Sequence, residues 1–410
     1  MVRRSVQPLL RPLGGHSFRL LFASALVSSF GTLLAAVALT VDVKDRTNSG
    51  LWVAALLAVD FLPTILVGLA LGPLLDRLSR RGLMVAADLV RAAVFCALPF
   101  AGNAGTIVGL AALAGLATGF FRPATYAGVP NLVPEEELPA ANSLLQAVEN
   151  LSWAVGPVLG GLLTAVFGPH TAYWVNAVSF VVSAALIARV PRRLLQSVEA
   201  LTRGHWRDLA DGMRFVVRSR PLVAVLVAWS IASIALGLGN VAEIFLAKNT
   251  LSGGDFGFGL LFGATGAGLI VGNVLAGPLE PALGVGRLYG GGIAVMAVGF
   301  ALAAISPNVW VAAAFLLVSG VGNGVANVCN PLLVQRGASD EIRGRALTLV
   351  MSANFVAIGA GMGLAGPLLD GVGARGTFGI AAAIFGCASL AGLVLAGGLP
   401  STRRPVEARA

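Results

Sequence analysis

Apolar stretches long enough to cross a lipid bilayer follow one another along almost the whole chain. About 20 apolar residues in an α-helix span the hydrocarbon core, so each such stretch predicts one transmembrane helix. We place the stretches at residues 18–41, 51–75, 83–101, 104–126, 140–167, 171–188, 222–246, 256–279, 288–305, 309–334, 346–369 and 376–399. Only 11% of the residues are charged, whereas soluble proteins have roughly 25%. The pattern predicts an all-α integral membrane protein with twelve transmembrane helices.

The basic residues predict how these helices are oriented. Lys and Arg are concentrated in the cytoplasmic segments of membrane proteins. If the N-terminus is cytoplasmic, 22 of the 28 basic residues fall in cytoplasmic segments, and the outer segments contain only Lys44, Arg46, Lys248 and Arg375. We therefore predict a multi-pass protein of the cell inner (plasma) membrane with both termini in the cytoplasm. The net charge of +9 follows from this orientation and does not indicate a nucleic-acid partner.

Short motifs recur in order at an offset of about half the chain. The pairs are residues 72–74 and 277–279 (Gly-Pro-Leu), 134–136 and 339–341 (an acidic segment), and 156–157 and 366–367 (Gly-Pro). Repeats of this kind build two pseudo-symmetric bundles of six helices, with the substrate site at their interface near the middle of the membrane. The predicted domains are an N-terminal bundle (1–188), a cytoplasmic linker (189–220) and a C-terminal bundle (221–410).

The linker, residues 189–220, is the longest hydrophilic stretch and contains eight arginines together with apolar residues at helical spacing. A basic amphipathic helix lies along the membrane surface, where anionic lipids attract it. We therefore expect the linker to contact membrane lipids. A regulatory or partner-binding role is the alternative.

Two motifs resemble the signatures of a transporter family. Residues 72–81 read Gly-Pro-Leu-Leu-Asp-Arg-Leu-Ser-Arg-Arg, and residues 156–161 read Gly-Pro-Val-Leu-Gly-Gly. The first resembles the loop signature of the major facilitator superfamily, between its second and third helices. The second is similar to the antiporter motif of the drug:proton antiporter branches. Residues 88–92, 130–134 and 138–144 resemble the bacterial drug and siderophore exporters, which include macrolide efflux proteins.

The resemblance implies a secondary transporter that exports a hydrophobic or amphipathic small molecule, such as a drug, antibiotic or siderophore-like compound, by alternating access and proton antiport. The implied conformational gate comprises Gly72, Asp76, Arg77, Arg80, Arg81, Asp88 and Arg91. We expect Asp76 to hold the cytoplasmic side closed, with Asp88 and Arg91 bracing its loop. Ser79 departs from the family pattern, which has a glycine at this position.

The implied antiporter motif comprises Gly156, Pro157, Gly160 and Gly161. Proline removes one helical hydrogen bond and bends the helix, and glycines leave a flat face against which another helix packs closely. The eighth stretch has a matching small-residue face, made of Gly259, Gly263, Gly266, Gly268 and Gly272. We therefore expect Gly160 to pack against the eighth helix.

Ionisable side chains within the stretches are costly and are therefore candidate functional residues. Asp60 lies in the second stretch and Glu149 near the middle of the fifth. An unpaired carboxylate in apolar surroundings favours binding a proton, so both are proton-coupling candidates. The alternative for each is an ion pair with a neighbouring helix, and for Glu149 the candidate partner is Arg122. Glu243 is close to the outer end of the seventh stretch, where we expect interfacial solvation.

Polar side chains within the stretches are candidate substrate contacts. The candidates for the substrate cavity are Arg122, Asn176, Asn240, Asn327 and Asn354. Hydrogen bonding between helices is the alternative role for the amides.

Other function classes lack the residues that they need. A nucleotide-driven pump needs a phosphate-loop lysine, yet the two lysines, Lys44 and Lys248, lie in outer segments. A membrane metalloprotease needs paired histidines on a helix, but all three histidines lie outside the stretches. We predict a monomeric transporter that is not an enzyme, has no cofactor or metal, and has a small-molecule substrate and protons as partners. The alternatives are an importer or lipid flippase on the same scaffold, or a non-transporting membrane sensor or assembly factor.

Overall fold

The computed structural model describes residues 10–59, 79–195, 219–337 and 340–397. Within these ranges the chain is helical and contains no strand. The first ten helices are α1 (His16–Thr47), α2 (Gly50–Val59), α3 (Arg80–Ala97), α4 (Ala104–Gly128), α5 (Leu138–Phe167), α6 (Pro169–Ala188), α7 (Arg220–Phe245), α8 (Gly254–Leu283), α9 (Val285–Ala304) and α10 (Val309–Gly337). A last helical run, Asp340–Ala396, is interrupted at Gly373. We call its two parts α11 (340–372) and α12 (374–396).

Ten helices in the described ranges are long and apolar enough to cross a membrane. Nine of them coincide with predicted stretches one to one, and the tenth, Leu349–Ala396, contains the last two predicted stretches on either side of Gly373. The all-α membrane fold is therefore confirmed, and the chain is a multi-pass membrane protein. Only the beginning of the second predicted stretch is described, as α2, so the full count of twelve crossings stays a prediction.

Polar side chains begin several of the helices. The first N–H groups of a helix lack helical acceptors, and a capping side chain satisfies one of them. Ser79 accepts a hydrogen bond from the backbone N–H of Gly82 at the start of α3 (3.2 Å), and Asn103 accepts one from Thr106 at the start of α4 (2.9 Å). The serine that departs from the family loop pattern is therefore the N-cap of α3.

The helices cluster into two compact units. The first comprises Met1–Thr202 with Gly254–Gly263, and the second comprises Arg203–Gly253 with Ala264–Ala410. In the first unit, α1 packs against α5 and α6, and α3 packs against α4 and α6. In the second unit, α7 packs against the run formed by α11 and α12, and α9 packs against α10 and the same run. Helices in corresponding chain positions thus pair in the same way in both units.

Each unit has a glycine with positive φ between two of its helices, and the two glycines lie at corresponding positions. Gly168, between α5 and α6, has a φ of 80°, and Gly373, between α11 and α12, has a φ of 68°. Glycine adopts this backbone conformation readily because it has no Cβ. Positions 168 and 373 are separated by the same number of residues as the recurring motifs at 72 and 277.

The linker is described only at its ends. Arg192–Leu195 forms a short 3₁₀-helix with Leu195 buried. Residues 196–218, which contain most of the predicted amphipathic helix, lie outside the described ranges. The predicted domain limits at 188 and 221 therefore stay predictions.

Candidate functional site

An ion pair between α4 and α5 lies on an exposed face of the first unit. Nη2 of Arg122 is 2.9 Å from each carboxylate oxygen of Glu149. The hydroxyl of Tyr126, one helical turn beyond Arg122, donates a hydrogen bond to Oε1 of Glu149 at 3.0 Å. The structure thus joins Glu149 to the partner that the ion-pair alternative predicts. Tyr126 is not among the residues predicted from the sequence, although its spacing of four residues from Arg122 places both on one helix face.

Aromatic surface lies beside this ion pair. Trp153, one turn beyond Glu149, is exposed, and its ring meets that of Phe262 edge-on with the centroids 5.3 Å apart. The side chains of Arg122 and Glu149 are themselves 56% and 25% exposed. Because charged groups in spanning helices are costly against lipid, we expect this surface to face water or a ligand. We call the surface formed by Arg122, Tyr126, Glu149 and Trp153 the α4–α5 polar face.

In the α4–α5 polar face, the carboxylate of Glu149 can pair with a group other than Arg122. An exposed ion pair contributes little net stability, so separating Arg122 from Glu149 needs little free energy. A proton on Glu149 removes its attraction to Arg122, and a cationic group can replace Arg122 beside the charged carboxylate. Both a proton and a cation are therefore chemically able to balance the charge of this carboxylate. In the described part of the chain, no three His, Cys, Asp or Glu side chains are grouped to hold a metal ion.

A second ion pair, between Asp88 and Arg91 of α3, lies in the core of the first unit. Both side chains are almost completely buried and contact each other directly. The Ser183 hydroxyl of α6 donates to Oδ2 of Asp88 at 2.7 Å, and its oxygen is 2.8 Å from the hydroxyl oxygen of Ser24 on α1. Asp88 is about 12 Å along α3 from its start, at 1.5 Å per residue. The described hydrogen-bond partner of this pair therefore belongs to α6, and Ser183 connects it to α1. Residues 60–78, which include most of the loop that the pair is expected to brace, lie outside the described ranges, so that expectation stays a prediction.

Aromatic rings enclose the guanidinium of Arg91. Its central carbon lies 4.4 Å from the ring centroids of Phe121 on α4 and Phe180 on α6. Cations are attracted to aromatic faces, and the attraction is strongest where water is excluded. Arg91 thus links α3 to α4 and α6 in addition to balancing the charge of Asp88.

The predicted gate is only partly described. Four predicted site residues lie outside the described ranges, namely Asp60, Gly72, Asp76 and Arg77. Arg80 donates a hydrogen bond from Nη1 to the carbonyl oxygen of Ala127 at 2.9 Å, and Arg81 donates one to the carbonyl oxygen of Ala188. These carbonyls belong to the last turns of α4 and α6, where a basic side chain interacts favourably with the helix dipole. The two arginines therefore tie α3 to the ends of two neighbouring helices.

The glycines of the antiporter motif divide between two neighbours, and the first of these is α1. A Cβ added at Gly156 would lie 2.7 Å from Cβ of Leu33, and one added at Gly160 would lie 3.0 Å from Cα of Leu34. These glycines therefore allow α1 and α5 to approach closely. The expectation that Gly160 packs against the eighth helix is corrected: its neighbour is α1.

The second neighbour of the motif is the beginning of α8, which belongs to the same compact unit. A Cβ at Gly161 would lie 2.9 Å from Cα of Gly259, and Gly259 in turn lies against the carbonyl oxygen of Pro157. Gly268 and Gly272, further along α8, pack against the backbone of α10 instead. Consecutive helical residues point about 100° apart, so Gly160 and Gly161 cannot face the same helix.

The predicted amide contacts differ in burial. Asn176 is fully buried in α6, and its Oδ1 accepts a hydrogen bond from the Ser179 hydroxyl at 2.9 Å. Its Nδ2 is buried and has no hydrogen-bond partner among the described residues. Asn240 on α7 and Asn327 on α10 are exposed, and Asn354 on α11 is half-buried. All four amides stay candidates for substrate contact.

A buried carboxylate near the end of α1 is not among the residues predicted from the sequence. The predicted stretch ended at residue 41, but α1 continues to Thr47, so Asp42 is inside the helix and buried. Arg46 donates from Nε to Oδ1 of Asp42 at 2.6 Å, and the Tyr173 hydroxyl donates to Oδ2 at 2.9 Å. The spacing of four residues between Asp42 and Arg46, typical of helical ion pairs, was the available signal.

Comparison with known proteins relates most of the chain to membrane transport. Residues 8–404 match the family model MFS_3, described as transmembrane secretion effector. The chain is 27% identical over 380 residues to the multidrug efflux pump Tap of Mycobacterium tuberculosis, and the match covers 89% of each chain. It is 24% identical over 274 residues to macrolide efflux protein A of Streptococcus pyogenes, covering 63% of this chain and 66% of that protein.

Solved structures share the fold at low sequence identity. A POT family transporter in complex with 5-aminolevulinic acid superposes with a TM-score of 0.75 at 11% identity, covering 93% of this chain and 96% of that one. A bacterial homologue of the iron transporter ferroportin, in an inward-facing state, superposes with a TM-score of 0.72 at 18% identity, covering 93% and 98%. At such identities the likeness shows the common fold alone.

Proposed function

We propose that this chain, which belongs to the MFS_3 transmembrane secretion effector family of the major facilitator superfamily, exports hydrophobic or amphipathic small molecules in exchange for protons. It is a transporter and not an enzyme. The relatives named as a multidrug efflux pump and a macrolide efflux protein support export as the direction of transport. The observation that carries the proposal is the α4–α5 polar face, a partly exposed ion pair with an aromatic neighbour inside spanning helices.

The chemistry of this face favours one substrate class. Sites for drug-sized molecules combine apolar and aromatic walls with a few placed polar groups. The rings of Trp153 and Phe262 offer apolar contact, and an aromatic face also attracts a cation. Glu149 supplies a negative charge next to them once Arg122 moves away. We therefore infer amphipathic substrates, with a preference for those that carry one positive charge.

The same carboxylate supports coupling to protons. While Glu149 is charged, Arg122 and Tyr126 satisfy both of its oxygens. A cationic substrate would take the place of Arg122, and a proton arriving at Glu149 would cancel the charge that holds the substrate. Proton and substrate then cannot occupy the site together, which is the requirement for exchange. Asp60, outside the described ranges, stays a second candidate for the proton carrier.

Glu149→Gln tests this coupling because glutamine keeps the size of the side chain and cannot be charged. The substrates would be a panel of dyes and antibiotics, in everted membrane vesicles with an imposed proton gradient. We expect a protonophore to abolish uphill transport by the natural chain. Because glutamine cannot take up or release a proton, Glu149→Gln should lower uphill transport about tenfold or more. Downhill movement of the same compounds should persist.

Glu136→Gln is the matched control, because Glu136 is exposed between α4 and α5 and lies outside the polar face. It should transport like the natural chain. Uphill transport by Glu149→Gln at the natural rate would exclude Glu149 as the obligatory proton carrier. Accumulation in the opposite direction would identify an importer, and failure of every compound to move would favour a lipid substrate or a non-transporting role.

We further propose how the chain is arranged in the membrane. The chain would lie in the cell inner membrane as a monomer, with six-helix halves at 1–188 and 221–410. The linker 189–220 would contact anionic lipids on the cytoplasmic face. The distribution of 22 of the 28 basic residues supports cytoplasmic termini. Phosphatase fusions would test this orientation: a fusion after residue 307 should be active, one after residue 284 inactive, and the reverse pattern would overturn it.

A further inference from the structure

Glu243, near the end of α7, is a buried carboxylate with an unsatisfied oxygen. The residue is 9% exposed, and Oε1 has no hydrogen-bond partner among the described residues. Its neighbours along the chain, Val241, Ala242 and Ile244, are buried and apolar. The sequence predicted interfacial solvation for this side chain, and the structure corrects that prediction: Glu243 is enclosed by protein.

The backbone next to Glu243 is also unusual. Leu246–Thr250, directly after α7, forms a single turn of π-helix, closed by a hydrogen bond of 2.9 Å from the backbone N–H of Leu251 to the carbonyl of Leu246. Such turns are rare and are found frequently at functional sites. The buried carboxylate therefore lies three residues before the first residue of this π-helical turn.

Asp42 in the first unit is a buried carboxylate with a structural role, and its hydrogen-bond partners can be compared with those of Glu243. It lies five residues before the end of α1, as Glu243 lies seven residues before the end of the π-helical turn. Asp42 is equally buried, but both of its oxygens have partners, from Arg46 and Tyr173. Glu243 has no such partner for Oε1, so it does not serve as the anchor of an ion pair through that atom.

The contacts of α7 with α9 and α11 show where Glu243 lies in the second unit. A Cβ at Gly237 would lie 3.0 Å from Cα of Gly361 on α11, and Gly239 abuts the ring of Phe300 on α9. Glu243 lies one further turn along α7. The titratable side chains of α9 and α10, which are Arg287, Tyr289, Cys329 and Arg336, lie toward the opposite ends of those helices.

The charged groups at the same end as Glu243 are few. On the elements packed against α7 they are Lys248 of the π-helical turn, Asp370 of α11 and Arg375 of α12. None of them bonds Oε1 of Glu243. The guanidinium of Arg375 donates instead to the carbonyl oxygen of Ser306 at 2.9 Å.

We propose that Glu243 is a proton-binding site of the second unit, in addition to the α4–α5 polar face of the first. A charged carboxylate that is buried without a partner is strongly disfavoured, so in this enclosed state Glu243 would carry a proton. When water reaches the end of α7, the carboxylic acid would pass that proton to water and become charged. The use of this proton to drive export rests on the proposed function, whereas its presence on Glu243 does not.

Infrared spectroscopy of the full-length chain tests the site without transport. A protonated carboxyl group has a carbonyl stretch that a carboxylate lacks. We expect the natural chain at neutral pH to show such a band that Glu243→Gln has lost. Asp42→Asn and Glu149→Gln should retain the band, because their carboxylates are ion-paired. Equal spectra for the natural chain and Glu243→Gln would overturn the proposal.

Two further measurements separate this site from a structural ion pair. Glu243→Gln should melt at the same temperature as the natural chain or higher, because glutamine is neutral without taking up a proton on folding, whereas Asp42→Asn should melt lower. In vesicles, Glu243→Gln should reduce the protons moved per substrate exported while downhill export continues. If the natural chain exports and Glu243→Gln moves as many protons, or if sodium instead of protons supports this step, the proposal is wrong. If the natural chain exports nothing, the proposed function fails, and the infrared band still decides whether Glu243 holds a proton.

Discussion

Four acidic side chains of the described helices differ in the partners that they contact. Asp88 has a buried guanidinium and a hydroxyl, Asp42 has an arginine and a tyrosine, and Glu149 has a partly exposed arginine. Oε1 of Glu243 has no hydrogen-bond partner among the described residues. Removing one member of a buried ion pair leaves the other charge without compensation, and this penalty far exceeds the net contribution of the pair itself. The Asp88–Arg91 pair is therefore expected to matter for folding more than for transport.

Arg91→Met tests this role, because it keeps the apolar contacts of the side chain and leaves Asp88 buried without a counter-charge. The free energy of unfolding should fall by about 3–5 kcal/mol, measured by chemical denaturation in detergent micelles. Adding Asp88→Asn should recover part of the loss. The control is Arg19→Met at an exposed position of α1, which should stay within about 0.5 kcal/mol. An Arg91→Met protein as stable as this control would contradict a structural role.

At the scale of the helices, close packing depends on which face each glycine occupies. Gly160 and Gly161 are adjacent in α5, yet one meets α1 and the other meets the beginning of α8. Both contacts are with backbone atoms, which cannot turn aside as a flexible side chain can. The antiporter motif is therefore the point at which α5 is held between two neighbouring helical segments.

Leucine at either glycine should separate α5 from its neighbour. Overpacking of a tight contact costs typically 1–3 kcal/mol, so Gly160→Leu and Gly161→Leu should each lower the free energy of unfolding by at least about that much and reduce efflux. The control is Gly109→Leu in α4, where a Cβ would meet nothing within 4 Å. Melting temperature and dye efflux would be compared for the three variants. A Gly160→Leu protein that matches Gly109→Leu in both would contradict the α1–α5 contact.

At the scale of the whole molecule, the two compact units repeat one arrangement. Their corresponding turns, at Gly168 and Gly373, share a backbone conformation with φ near +70 to +80° and ψ close to 180°. That region is essentially restricted to glycine, and another residue there costs on the order of 1–3 kcal/mol. Because each turn lies in a different unit, the two positions should act independently.

Gly168→Ala and Gly373→Ala should each lower the free energy of unfolding by about 1–3 kcal/mol. The double variant should lose the sum within about 0.5 kcal/mol, as expected for sites without shared partners. Gly109→Ala should instead be neutral or slightly stabilising, because alanine is favoured over glycine within a helix. Chemical denaturation of the four proteins would measure these changes. A strongly non-additive double variant would show that the turns are coupled.

The features that depend on local composition can be predicted from the amino-acid sequence alone. Hydropathy predicted every span that the structure describes, since about 20 apolar residues must be helical to satisfy their backbone within lipid. The recurring motifs predicted two similar halves, and the structure shows them as repeated helix pairings. Arg122 and Glu149 lie in consecutive predicted stretches, which made an ion pair between them possible. The sequence did not distinguish this ion pair from an unpaired Glu149 that binds a proton.

Which side chains meet depends on how the helices pack together. A helical residue points about 100° away from the one before it, so small uncertainties in helix rotation and in helix ends change every partner. For this reason the sequence predicts the wrong neighbour for Gly160, ends the first stretch before Asp42 and predicts solvent contact for Glu243. Pairing depends on contacts between helices that are distant in the chain, and the periodic pattern of one helix does not identify the residue that it meets on another.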